Sequence, residues 1–292
     1  MEKMEMTERM REMERLFALK PEGLIGNDVN WKLLVRLALK GQTTLITGFR
    51  GSGKTLLVES VANALQRPLF KFDFGATQDA RSSLIGNAHF DKETGKYLSE
   101  SEFVRAVQTE GAIIMLDNYQ RSAQEARNIV FHALGKRNRH LRINESESSD
   151  EVIEVANGVT FFLICSRDNA YTASQINYSY EVLHFCACIE IEPLGKQEIT
   201  TLLKLRKGLS EKDIDIISAI YSEILEEFKK HKEMYKPISV RDIKVLAELI
   251  EDGVPIQKAI KLVVLPDFSD VHGLASDRAY VKKAIDKVIS NT

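Results

Sequence analysis

The sequence lacks any apolar stretch that approaches the roughly 20 residues of a membrane-spanning helix. Its N-terminus, MEKMEMTERMREMERL, is charged almost from the first residue and therefore lacks the apolar segment of a signal peptide. Cysteine is scarce as well: Cys165, Cys186 and Cys188 all lie in apolar, strand-like runs, which argues against a disulfide framework. These absences predict a cytoplasmic protein with no membrane partner.

An excess of charge of either sign is also missing. The 40 Lys and Arg residues nearly balance the 42 Asp and Glu residues, for a net charge of −2. The chain therefore lacks the overall positive charge that is typical of nucleic-acid-binding proteins. One local exception is GKRNRHLR, residues 135–142, with cations at Lys136, Arg137, Arg139 and Arg142. We interpret it as a solvated helix end, where cations are favourable; contact with nucleic acid or with a neighbouring subunit's ATP remains an alternative.

What the sequence does have is a regular alternation of strand and helix patterns. Nearly continuous apolar runs indicate five buried strands, and amphipathic helical segments separate them: TTLITG, LFKFDFG, AIIMLD, GVTFFLICS and CACIEIE. Such runs are typical of a parallel sheet covered on both faces. After Pro193 the pattern is helical only. We therefore predict an α/β fold, a five-stranded parallel sheet flanked by helices, followed by a small all-α domain.

The strongest functional signal is GFRGSGKT, residues 48–55, between a predicted strand and a predicted helix. It satisfies the pattern G-x-x-x-x-G-K-[ST], in which glycines let backbone N–H groups surround the phosphates of a nucleotide. Lysine then reaches the β and γ phosphates, and the threonine hydroxyl binds Mg²⁺. The predicted ATP contacts in this loop are Gly48, Phe49, Arg50, Gly51, Ser52, Gly53, Lys54, Thr55 and Leu56.

A second functional signal is the end of the strand AIIMLD. Asp117 lies at its carboxyl end, the edge at which open α/β sheets bind ligands, and would complete the Mg²⁺ site with Thr55. A structural role as a cap on the following helix is the alternative. Asn118 follows where a second carboxylate would be expected, so the sequence predicts nucleotide binding more firmly than hydrolysis.

Over about residues 22–265 the chain resembles AAA+ ATPases, and within them the MoxR group, which includes CbbQ/NorQ-type activators, GvpN and CobS-like subunits. Besides the glycine loop, the segments that carry the resemblance are SLIGNAHFDKETGKYLSESEFVRAVQTEGAIIMLDNYQRS, FFLICSRDN and ISVRDIKVLAELIEDGVPIQKAI. The expected domains are an N-terminal arm (1–20), a nucleotide-binding domain (21–194), a helical lid (195–265) and a C-terminal tail helix (266–292).

The resemblance also implies site residues and partners. Adenine would lie near Leu24, Ile25 and Gly26, Arg241 would serve as the sensor-2 arginine, and Asp168 or Asn169 as the polar sensor 1. The family forms ATP-driven rings, usually hexamers, that remodel a protein partner, so a homo-oligomer or hetero-oligomer is expected. A hairpin at 140–157 and an insert at about 86–98 would face the substrate or the ring pore.

The chain departs from the family pattern at three positions. Asn118 replaces the glutamate that activates water, His184 aligns with the arginine finger, and Asp168 would repel a γ-phosphate. These departures predict a slow or partner-completed ATPase. A nucleotide-stabilised scaffold without turnover is the first alternative, and a nucleic-acid motor or loader is the second.

HFCAC, residues 184–188, suggests a zinc site with ligands His184, Cys186 and Cys188 on one strand face. Residues two apart on a strand are about 6.6 Å apart, whereas zinc ligands must all lie within about 2.3 Å of one ion. We therefore predict a buried strand and no metal site there.

Overall fold

A computed structural model describes residues 2–76, 79–91, 95–142, 152–167, 180–231, 234–271, 273 and 276–290. Its strands are β1 (Thr44–Gly48), β2 (Leu69–Asp73), β3 (Gly86–Asp91), β4 (Gly95–Glu100), β5 (Ile113–Asp117), β6 (His140–Arg142), β7 (Val152–Glu154), β8 (Thr160–Ser166) and β9 (Ala187–Ile191). Its α-helices are α1 (Glu2–Ala18), α2 (Asp28–Leu39), α3 (Lys54–Ala64), α4 (Ala80–Leu84), α5 (Glu102–Gln108), α6 (Gln124–Leu134), α7 (Tyr180–Phe185), α8 (Lys196–Lys204), α9 (Glu211–Lys230), α10 (Val240–Glu251), α11 (Ile256–Val263) and α12 (Asp277–Ile289).

Five of these strands form the parallel sheet, in the order β2-β5-β8-β1-β9. The residues of β5 from Ile113 to Leu116 and nearly all of β8 are buried, which explains their uninterrupted apolar sequences. In the register of β2 and β5, Asp73 lies opposite Asp117, so both strands end at the same level. The predicted five-stranded parallel sheet is confirmed.

Two antiparallel hairpins lie outside the main sheet. β3 and β4 pair between α4 and α5, within the segment predicted as an insert at about 86–98. β6 and β7 pair between α6 and β8, with His140 opposite Glu154, as the hairpin prediction required. Its tip, residues 143–151, lies outside the described residues.

The chain divides into two compact units. The first comprises Met1–Thr47, Lys54–Ser166 and Ile176–Glu190, and its core contains β5, β8 and residues of α4, α5 and α6. α2 also belongs to this unit, with Trp31 buried and its ring N–H donating to the Phe17 carbonyl oxygen at 3.0 Å. That bond ties the end of α1 to α2, so the expected N-terminal arm (1–20) contains a helix that belongs to this unit.

The second unit comprises Gly48–Gly53, Arg167–Gln175 and Ile191–Thr292. Helices α8 to α12 share one apolar core, centred on buried residues of α9 such as Ile217, Ile220 and Tyr221. Val281 and Ile285 of α12 belong to that core too. Among the residues described after β9 no strand occurs, which confirms the predicted all-α part. In the described part of the chain, no helix combines the length and the apolar character that crossing a membrane requires.

Candidate nucleotide-binding site

The glycine loop joins the end of β1 at Gly48 to the start of α3 at Lys54. Gly51 has φ +78° and Gly53 has φ +88°, in the left-handed region that residues with a β carbon rarely adopt. A β carbon on Gly51 would also come within 2.6 Å of Cβ of Ser239, the N-cap of α10. The loop therefore requires glycine at Gly51 both for its backbone conformation and for space.

Two buried polar side chains mark the end of this loop. The Ser52 side chain is 7% exposed, and its hydroxyl has no hydrogen-bond partner among the residues that the structure describes. Lys54 is 6% exposed in the first turn of α3. A buried hydroxyl without a partner is costly unless a ligand satisfies it, and the N-terminus of a helix favours anions. The chemistry of the loop therefore fits a phosphate.

The other predicted loop residues differ in exposure. The Phe49 ring packs edge-on against the Phe228 ring of α9, with 5.1 Å between ring centroids. Thr55 is half-buried, and Arg50 is exposed. Leu56 is 45% exposed, so within the described chain its side chain adds little to the core.

Asp117 is the last residue of β5 and is half-buried. Its Oδ1 atom accepts a hydrogen bond from the backbone N–H of Asn118 at 2.8 Å, which stabilises the turn after the strand. β1 and β5 belong to one parallel sheet, so Asp117 and the carboxyl end of β1 lie at the same edge of that sheet. A carboxylate and a hydroxyl at this edge are ligands that Mg²⁺ prefers.

Asn118 adopts the left-handed conformation, with φ 54° and ψ 33°, before a short 3₁₀ turn at Tyr119–Arg121. Asparagine tolerates this conformation better than most residues. Its Nδ2 donates to Oδ1 of Asp73 at 3.0 Å, and the same oxygen accepts from the Gly75 N–H at 3.1 Å. The sequence prediction missed Asp73, although a carboxylate at the end of a predicted strand was a signal for it.

The structure places the residues expected to sense the nucleotide as follows. Asp168 and Asn169 lie outside the described residues. The preceding residue, Arg167, donates its backbone N–H to the Gly48 carbonyl oxygen at 2.9 Å, so the end of β8 runs beside the end of β1. Arg241 is exposed in the first turn of α10, two residues after Ser239.

The predicted adenine contacts belong to the first unit. Leu24 is buried, while Ile25 and Gly26 are half-buried. The Lys20 ammonium donates to the Gly26 carbonyl oxygen at 2.5 Å and to Asp28 at 2.8 Å, which fixes the turn before α2. An apolar, ordered turn of this kind suits the face of a base.

The region around His184 differs from the expected strand. His184 is exposed in the last turn of α7, Cys186 follows the helix, and Cys188 lies on β9, so the three do not share one strand face as predicted. The reason is that YEVLHF forms a helix before β9 begins. Within the described ranges, no three or more His, Cys, Asp or Glu side chains lie together so that they could hold a metal ion.

The basic segment at 135–142 is not uniformly available for a ligand. The Arg139 guanidinium donates to the carbonyl oxygens of Ala133 and Val159 at 2.8 Å each, and it lies 5.1 Å from the Phe161 ring centroid. Burial lowers the pKa of Arg139 to about 10. Arg139 therefore has a structural role, while Lys136 and Arg137 remain exposed.

Comparisons with known proteins agree with this architecture. Residues 43–180 match the family model of the AAA domain, dynein-related subfamily. A search of the curated proteins found no match.

Solved structures resemble the chain at low identity. A point mutant of RuvB from Thermotoga maritima has a TM-score of 0.52 and 15% identity, over 88% of this chain and 73% of that one. NtrX from Brucella abortus in complex with ATP has a TM-score of 0.51 and 12% identity, over 97% of this chain and 73% of that one. Residues 43–180 are thus similar to an AAA domain, and the chain shares the P-loop AAA+ fold of these solved structures.

Proposed function

We propose that the protein is a MoxR-like AAA+ ATP-binding protein that hydrolyses ATP slowly, or efficiently only when a partner completes its site. Binding and hydrolysis would drive the remodelling or assembly of a protein partner by a ring oligomer. The observation that carries the proposal is the glycine loop, in which left-handed Gly51 and Gly53 precede Lys54, and the buried Ser52 hydroxyl has no partner among the described residues.

In this proposal each part of ATP has its own contacts. The loop N–H groups and Lys54 bind the phosphates, and the turn at Leu24–Gly26 contacts adenine. Thr55 and Asp117 hold Mg²⁺, which neutralises charge on the phosphates when it is bound. Arg241 contacts the phosphates from α10. A structure with the same fold, NtrX, was solved with ATP, which supports this choice of nucleotide.

Slow turnover follows from two side chains. The amide of Asn118 cannot accept a proton at neutral pH, so the roughly 10²- to 10⁴-fold contribution of general-base catalysis is lost unless another carboxylate supplies it. His184, at the position of the arginine finger, is exposed on α7. A finger supplied by another subunit is worth about 10³- to 10⁵-fold. A partner that inserts an arginine would therefore accelerate hydrolysis strongly.

The MoxR assignment and the ring rest on the two hairpins. β3–β4 interrupts the helical segment between α4 and α5, and β6–β7 precedes β8, as in the group that the sequence resembles. These hairpins are the surfaces that we assign to the partner or to the ring pore.

Single-turnover hydrolysis tests the enzymatic part. With protein in excess over γ-labelled ATP, we expect phosphate release that is slow, depends on Mg²⁺ and is lost in Lys54→Ala. Size-exclusion chromatography with light scattering, with and without ATP, tests the ring.

A scaffold that binds ATP without turnover is the second candidate, favoured by the bond that holds Asn118 to Asp73. It predicts ATP binding with phosphate release no faster than in buffer. A nucleic-acid motor is less well supported, because Arg139 of the basic segment bonds its own chain.

A further inference from the structure

Asp73 is an exposed carboxylate at the end of β2, the strand that pairs with β5. It lies opposite Asp117 in the register, and neighbouring strands are about 4.8 Å apart. Its Oδ1 atom accepts from the side-chain amide of Asn118 at 3.0 Å and from the Gly75 N–H at 3.1 Å. Asp73 is therefore hydrogen-bonded directly to the side-chain amide of Asn118, which occupies the position expected for the glutamate that activates water.

We propose that Asp73 supplies the carboxylate missing at position 118 and accepts a proton from the water that attacks ATP. This inference rests on the proposed ATP site.

The contact between the two side chains explains why an amide fits at position 118. Two ionised carboxylates 3.0 Å apart would repel each other, and one would have to be protonated. An asparagine instead donates a hydrogen bond to Asp73 and places no second negative charge beside it. Because Nδ2 of Asn118 points to Asp73, its amide oxygen is the atom that can orient a water O–H group.

The proposed step balances as a simple hydrolysis. The water oxygen attacks the γ-phosphorus while the bond from that phosphorus to the β,γ-bridging oxygen breaks. ADP leaves with the electron pair of that bond, and the water proton passes to the carboxylate of Asp73. Release of the proton to solvent, together with inorganic phosphate and ADP, restores the site.

The test compares two variants, one that changes Asp73 and one that changes Asn118. Asp73→Asn keeps an oxygen that can accept from Gly75 and Asn118 but removes the base, so we expect single-turnover phosphate release to fall about 10²-fold or more. Asn118→Ala keeps the carboxylate and removes only the orienting amide, so we expect a loss below about tenfold. ATP affinity, measured by fluorescence titration, should stay within about threefold in both variants.

Should Asp73→Asn fold poorly, Asp73→Ser repeats the test, because its hydroxyl can still accept from the Gly75 N–H. Equal losses in Asp73→Asn and Asn118→Ala would overturn the inference and leave Asp73 as the anchor of a water-orienting Asn118. Undiminished release in Asp73→Asn would also overturn it, while the proposed ATPase would stand. A wild-type protein that binds ATP but releases no phosphate would refute hydrolysis itself, and with it the role of Asp73.

Discussion

At the scale of single residues, the candidate site is built by backbone conformation as much as by charge. Gly51 and Gly53 are left-handed in the glycine loop, and Asn118 is left-handed at the end of β5. The motif predicted the glycines, because its spacing is defined by them. It did not predict the conformation of Asn118 or its bond to Asp73, since that contact joins residues 45 positions apart.

Gly51→Ala tests the loop geometry. The added β carbon would lie 2.6 Å from Cβ of Ser239, in a backbone conformation that costs about 1–2 kcal/mol for residues other than glycine. We expect ATP affinity to fall at least tenfold in a fluorescence titration. Gly23→Ala is the matched control, because a β carbon there meets nothing within 4 Å, and it should bind ATP as the wild type does. Equal affinities for all three proteins would contradict the required left-handed loop.

At the scale of secondary-structure elements, one arginine holds the edge of the sheet opposite the site. The Arg67 guanidinium donates to the Ala38 carbonyl oxygen at 2.6 Å, to the Ala112 carbonyl oxygen at 3.2 Å and to the Thr160 hydroxyl at 3.0 Å. It also donates to the carbonyl oxygens of Gly111 and Gly158. α2 and the starts of β5 and β8 are thereby joined by a single side chain.

Arg67→Met should lower the free energy of unfolding of the first unit by about 2–4 kcal/mol, because several partly buried carbonyl oxygens lose their donor. Urea unfolding can be followed by fluorescence, since Trp31 is buried and is the chain's one tryptophan. Lys71→Met is the control. Its ion pair with Glu59 is exposed, so a change below about 1 kcal/mol is expected. A loss no larger in Arg67→Met than in this control would show that the bonds to Arg67 contribute little.

The elements themselves differ in how far the sequence predicts them. The apolar runs of β5 and β8 are long enough to predict buried strands, and the polar segment between β6 and β7 predicts a hairpin. HFCAC was predicted to be a buried strand, but His184 lies in α7 and β9 begins only at Ala187, because a short apolar run does not distinguish helix from strand. Arg139 was interpreted as part of a solvated helix end, and only the structure shows its bonds to the carbonyl oxygens of Ala133 and Val159.

At the scale of the whole molecule, the described chain carries a glycine loop suited to phosphates, while the groups expected to split ATP are weaker than the family pattern. The loop at 48–55 has the conformation and buried polar groups that phosphates require. Asn118 and exposed His184 stand where stronger catalytic groups are expected. This contrast is the basis of our proposal that the nucleotide is held longer than it is processed and that a partner sets the rate.

The most direct test of this account is an equilibrium titration of the wild-type protein with Mg·ATP, beside Lys54→Ala and the control Lys40→Ala. Lys54 is buried at the start of α3, whereas Lys40 is exposed at the end of α2. We predict saturable binding by the wild type and by Lys40→Ala, and at least a hundredfold weaker binding by Lys54→Ala. Equal binding by Lys54→Ala, or no binding by the wild type, would contradict the assignment of the glycine loop as an ATP site.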